Sequence, residues 1–183
     1  MTVLISLWLP ILLAVVVVFV ASSIMHMVLP YHKTNYKKLP DEDKVASALR
    51  GIGRGLYVLP FCTMKEMKSP EMQEKYKQGP VGMITMMPPG PPAMPKYLVQ
   101  WFVYCVLVSF FVAYLAAHTV APGTPYPAVF RVVGTAAFLA YGLGVLPNGI
   151  WKGQLWGITI KEVIDGLVYG LLTAGTFGWL WPR

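Results

Sequence analysis

Charge is scarce in this chain of 183 residues: Asp, Glu, Lys and Arg together make up 13%, against 56% apolar residues. A soluble domain of this size rarely shows so little charge, and the default class is an integral membrane protein. Cysteine is nearly missing too. Cys62 stands in a polar stretch and Cys105 in an apolar one, which excludes a disulfide framework and leaves no redox or zinc pattern. There is also no phosphate-cradling glycine loop, no serine nucleophile elbow and no paired metal-binding helix motif. The expectation is a protein without visible catalytic equipment and without a cofactor.

What is present is length of apolar sequence. Four runs approach or exceed the roughly 20 residues needed to cross a bilayer: about Val3 to Met27, Tyr97 to Val120, Ala128 to Leu146 and Ile158 to Trp181. No lysine or arginine precedes the first run, and its apolar stretch is long for a secretory signal, so it reads as a retained span. The expected fold is an all-α membrane protein, four transmembrane helices in a compact bundle, with a small cytoplasmic α/β insertion between helices 1 and 2. Residues 1–29 form the first span, 30–96 the insertion and 97–183 the remaining three spans, at about 97–120, 128–146 and 158–181.

Lysine and arginine set the orientation, because basic loops stay on the cytoplasmic side. Eleven of the fifteen lie between Lys33 and Lys96, and Lys152 and Lys161 flank the last connection. Both termini then face outward and both basic connections inward, in a bacterial inner membrane. Trp8, Trp179 and Trp181 fall near the outer interface and Trp101, Trp151 and Trp156 near the inner one, as aromatic belts do. Eleven positive residues against six negative in the insertion suit anionic lipid headgroups. They lack the arrangement of a nucleic-acid module, so no nucleic-acid partner is expected.

Within the insertion, "LPDEDKVASALRG" and "SPEMQEKYKQG" each read as a short helix with acids in the first turn and a terminal glycine. Ser69 and Pro70 open the second. "GLYVLPF" and "GPVGMITMM" read as short strands. In "MPPGPPAMPK", five prolines in nine positions favour an extended lead-in to the second span.

The last run carries two patterns. Gly166, Gly170, Ala174 and Gly178 recur every four residues and make a small-residue face for close helix packing. Beside it, Lys161, Asp165, Tyr169 and Thr173 share the same spacing and form a polar seam. A short carboxylate about 10 Å inside a span must be paired, protonated or next to a wet cavity. One reading pairs Lys161 with Asp165 one turn apart, with Glu162 favoured by the helix start. The other makes Asp165 part of a polar cluster with Lys161, Glu162, Tyr169, Tyr104, Gln100 and His26, to which Ser22 and Ser23 add hydroxyls. His26 and His32, in "SSIMHMVLPYH", could ligate a metal. Neighbours along "MHM" point in different directions, however, so a satisfied interfacial histidine is the better reading and no metal is expected.

The order of one span, a basic segment and three more spans resembles small uncharacterised bacterial inner-membrane proteins of unknown function. The residues that carry it are "MHMVLPYHKTNYKKLPDEDKV", "MPPGPPAMPK" and "IWKGQLWGITIKEVIDGLVYGLLTAGTFGWLW", and the resemblance implies architecture alone. The functional expectation is an accessory or scaffold subunit that binds another membrane protein, or a further copy of itself, through its glycine faces. The alternative is a small oligomeric transporter or channel with a polar pocket around Asp165.

Overall fold

The computed structural model describes residues 2–183, with side chains from Leu4 onward. In chain order the elements are α1 (Thr2–Ser6), α2 (Trp8–Ser23), α3 (Glu42–Leu49), β1 (Gly55–Leu59), α4 (Pro70–Gln78), β2 (Gly82–Met86), α5 (Met94–Thr119), α6 (Tyr126–Tyr141), α7 (Leu146–Trp151) and α8 (Trp156–Trp179). They fall into two compact units, one formed by the chain up to Asn35 together with Ala93–Arg183, the other by Tyr36–Pro92.

Among the described residues, three stretches are long and apolar enough to cross a membrane: Trp8–Val28, Met94–Thr119 and Tyr126–Trp151. The α8 helix has 24 residues but is not among them. Lys161, Glu162 and Asp165 lower its hydropathy, as does its run of glycines and threonines. Two helix boundaries differ from the expectation for local reasons. Pro95 sits in the first turn of α5, where its missing N–H costs nothing, so the helix starts at Met94. The third run breaks after Tyr141 into a 3₁₀ turn and α7, where Gly142, Gly144 and Pro147 weaken continuous helix.

In the first unit α8 packs against α6 and α2, and α5 packs against α2 and α6. The residues between them are small or β-branched: Ala14, Val15 and Val18 of α2, Val108, Val112 and Ala113 of α5, Val129, Val133 and Ala137 of α6, all buried. Large side chains point the other way, with Leu12, Val16 and Val20 of α2 and Val103, Leu107 and Phe111 of α5 exposed. A water-soluble protein would bury these. Large groups outward and small groups inward is the pattern of helices that pack by close approach within lipid.

The glycine face of α8 meets α6. A Cβ on Gly166 would overlap the backbone of Gly142, one on Gly170 would press on the Phe138 backbone at 3.1 Å, and one on Gly178 would strike the Tyr126 ring at 2.7 Å. A Cβ on Gly134 would lie 3.1 Å from that of Ala174, so the complementary row on α6 is Gly134, Phe138 and Gly142. Ala136, Ala140 and Gly144, also spaced by four, lie off this seam, with Ala140 and Gly144 exposed. Beyond the helix ends, Trp181 donates to the Ala121 carbonyl at 3.0 Å and Gly123 to the Pro182 carbonyl at 2.9 Å.

The second unit is an antiparallel pair of strands with two helices. Gly55 lies opposite Met86 and Leu59 opposite Gly82, and α4 lies in the β1–β2 connection. Ser69 caps α4 by accepting from the Met72 N–H at 3.2 Å, and Gly79 ends it at φ 62°. The Glu66 carboxylate accepts from the backbone N–H and the hydroxyl of Thr63. These bonds, the backbone one foremost, lower its pKa.

Candidate functional site: a polar cavity around Asp165

Asp165 lies within the third turn of α8, about 13 Å along the helix, and is 3% exposed. Its neighbour Gly166 touches α6, which turns the carboxylate away from that seam and towards the end of α2. There the chain leaves regular helix. Ile24–Val28 form a π-helical turn, Leu29 is extended, and Pro30–His32 form a 3₁₀ turn. Proline at 30 cannot continue the helical hydrogen bonding, so the chain turns and carries His32 back beside His26. The two imidazoles stack with centroids 4.3 Å apart and planes 11° from parallel. A π turn inside a helix is found frequently at functional sites.

The imidazoles meet Asp165. His32 Nε2 lies 2.9 Å from Asp165 Oδ2, and His26 Nε2 lies 3.9 Å from the same oxygen. The shorter approach lacks the alignment of a hydrogen bond: among the described residues His32 Nε2 and both carboxylate oxygens have no hydrogen-bond partner. The outer nitrogens of the rings are held. His26 Nδ1 donates to the Ser22 carbonyl at 3.0 Å, and His32 Nδ1 lies 2.9 Å from the Asn35 amide nitrogen.

Lys161 does not pair with Asp165. Its ammonium donates to the Tyr31 carbonyl at 2.8 Å, Thr34 Oγ1 at 3.0 Å and Asn35 Oδ1 at 3.1 Å, and lies 5.2 Å from the centre of the Tyr31 ring. Three oxygens and an aromatic face satisfy the ammonium more fully than one carboxylate on the same helix. Lys161 thereby ties the turn bearing His32 to α8. The Tyr31 phenol is pushed above its ordinary pKa by burial first and then by the negative charge of Asp165. Glu162 accepts from Gln154 at 2.7 Å.

A cavity of about 700 Å³ opens beside this cluster, with Asp165, Glu162, His26 and Tyr169 at its wall. Aromatic rings make the opposite side. Trp101 lies tilted 5.4 Å from Tyr104 and edge-on 6.0 Å from Tyr169, and Tyr141 closes the group edge-on at 5.7 Å from both tyrosines. Trp101 donates to Ser22 Oγ at 2.8 Å and Tyr104 to the Ala140 carbonyl at 2.9 Å. The hydroxyls of Tyr141 and Tyr169 are buried without a hydrogen-bond partner among the described residues.

Of the polar cluster expected from sequence, the structure brings Asp165, Glu162, Tyr169, Tyr104 and His26 to one cavity, together with Ser22 and Ser23. Gln100 is exposed and lies outside the lining; Trp101, the next residue, takes the inward position. His118 contacts its own helix, through the Tyr114 carbonyl at 2.7 Å. Sequence reasoning missed Trp101 and Tyr141 as cavity residues and Asn35 as the link between Lys161 and His32. Trp101 had a signal, since tryptophan needs a partner for its N–H when buried and Ser22 lies at the same depth. Asn35 had none.

No family model matches the chain, and no curated protein or solved structure is detectably similar to it.

Proposed function

We propose that this protein is a four-span bacterial inner-membrane protein, with both termini outside and its basic segment in the cytoplasm, that takes up a small and mostly apolar molecule in the Asp165 cavity and acts as a small transporter. The observation that carries the reading is a buried carboxylate on the wall of a cavity of about 700 Å³, with His32 at 2.9 Å but no aligned hydrogen-bond donor among the described residues. That volume lies within the range of small-molecule sites, roughly 300–1,000 Å³, and such sites combine apolar walls with a few convergent polar groups. An ionisable residue inside a span is costly and marks a substrate or ion path when it faces a cavity. The fourth span is α8, whose Lys161 snorkels to the turn at residues 31–35. Four short spans leave little room for a complete pathway, which favours a homo-oligomer, and anionic headgroups meet the basic segment.

The accessory-subunit reading needs a free glycine face. In this chain α6 covers the face formed by Gly166, Gly170, Ala174 and Gly178, which weakens that reading.

The test is purification in a mild detergent or lipid disc, with mass measurement of the intact particle and identification of small molecules extracted from it. The expected result is a stoichiometric small molecule in the wild type and its loss in Asp165→Asn, with unchanged assembly mass and helix content. A stoichiometric protein companion with no retained small molecule would restore the accessory role.

A further inference from the structure

We propose that His26, His32 and Asp165 form a binding site for one divalent transition-metal ion, of the zinc or ferrous type, at the edge of the cavity. The inference deepens the cavity reading and rests on it, since the metal would be the polar anchor for whatever the cavity holds.

Three observations carry it. The donor atoms of the three residues lie within 4.8 Å of one another, although the histidines and the aspartate are separated by more than 130 positions in sequence. The atoms that face one another are those left without hydrogen bonds: among the described residues His32 Nε2 and both Asp165 oxygens have none, despite an approach of 2.9 Å. An imidazole nitrogen and a carboxylate that converge off the hydrogen-bond line can share a cation once His32 takes the tautomer with its proton on Nδ1. Finally, the backbone departs from helix over the whole stretch that delivers the imidazoles, through a π turn and a 3₁₀ turn.

The chemistry of the donors selects the metal. Two imidazoles and one carboxylate suit zinc or ferrous iron, whereas calcium and magnesium take oxygen ligands. Bonds of about 2.1 Å put neighbouring donors roughly 3.4 Å apart around a tetrahedral ion. His32 Nε2 stands 2.9 Å from Asp165 Oδ2, inside that spacing, and His26 Nε2 3.9 Å from it, outside, so the stacked rings would have to turn to admit the ion, which half-exposed His26 is free to do. His26 Nδ1 donates to the Ser22 carbonyl, which leaves Nε2 unprotonated for a metal, the usual outer-shell arrangement. At His32 the Asn35 amide would rotate by half a turn to accept from Nδ1–H. Lys161 would keep its bonds to Tyr31 and Thr34. Three protein ligands leave a coordination position free on the cavity side, the mark of a site that meets a ligand.

The test uses full-length protein purified without a metal-binding tag, stripped with chelator and titrated with Zn²⁺ by calorimetry and with Co²⁺ by visible absorption. One equivalent per chain is expected, with a Co²⁺ ligand-field band typical of nitrogen and oxygen donors. His32→Ala and Asp165→Asn should each weaken Zn²⁺ binding by 100-fold or more, and Asn35→Leu by about 10- to 100-fold. His118→Ala should leave it unchanged. The absence of a stoichiometric Zn²⁺ or Co²⁺ site in folded wild-type protein would overturn the proposal, whatever the variants do. So would binding indifferent to His32→Ala and Asp165→Asn in variants whose helix content matches the wild type. A retained small molecule in metal-free protein would remove the metal and keep the cavity reading, whereas loss of both would remove both.

Discussion

The two sides of α8 use opposite chemistry. On one, Gly166, Gly170 and Gly178 bring the helix so close to α6 that no Cβ fits without displacement. On the other, one residue away, Asp165 faces histidines, tyrosines and open volume. The first side gains stability by dispersion and close approach. The second buries a carboxylate beside two imidazoles and leaves two tyrosine hydroxyls without hydrogen-bond partners among the described residues, each hydroxyl at a cost. A single helix can hold both because its faces are independent: a contact surface rigid enough to fix the backbone lets the neighbouring face stay polar and unfilled.

The comparison breaks first on the packed side. Gly166→Leu places a side chain into the Gly142 backbone, which has no rotamer by which to yield. The expected loss is about 3 kcal/mol or more, seen as a thermal transition lowered by many degrees or as aggregation on size-exclusion chromatography. Gly178→Ala should cost far less, because the Tyr126 ring it meets can turn aside. If Gly166→Leu were tolerated, α6 and α8 would not be packed as described.

On the polar side, Lys161→Met deletes three hydrogen bonds that hold the turn at residues 31–35. A cost of about 1–3 kcal/mol is expected, with faster hydrogen exchange confined to that turn and no change along the α6–α8 seam. Exchange that rises along both sides would show that the faces are coupled after all.

The smallest effect sharpens the picture. Tyr104→Phe removes one hydrogen bond, to the Ala140 carbonyl, from a partly exposed position and keeps the ring on the cavity wall. About 0.5–1.5 kcal/mol should be lost, with retention of the extracted small molecule unchanged. A large loss of retention instead would make the hydroxyl a ligand contact.

Much of this was legible in the sequence. The spacing of four from Gly166 to Gly178 marks a packing face because a helix returns to the same side about every 3.6 residues. Asp165 was conspicuous because a carboxylate is expensive in an apolar span. Ser69, Pro70 and Gly79 marked the ends of α4 through chemistry that needs no tertiary partner. Three features were not legible. The row on α6 that receives the glycines is Gly134, Phe138 and Gly142, although Ala136, Ala140 and Gly144 show the same period; rotation of one helix against another decides between them. Lys161 and Asp165 had ideal spacing for a pair, yet Lys161 bonds to Tyr31, Thr34 and Asn35 while Asp165 faces His26 and His32. His26 and His32 read as separate interfacial residues because the π turn that stacks them has no sequence period.

Sequence alone determined the apolar segments and which residues of α8 are small and which are polar, because these follow from composition and from a helical period internal to each segment. Tertiary structure decided which side of α6 the glycines meet, where Lys161 sends its charge, and that two histidines and an aspartate converge on one cavity. Those outcomes depend on distances between segments far apart in the chain, which packing sets and local pattern does not carry.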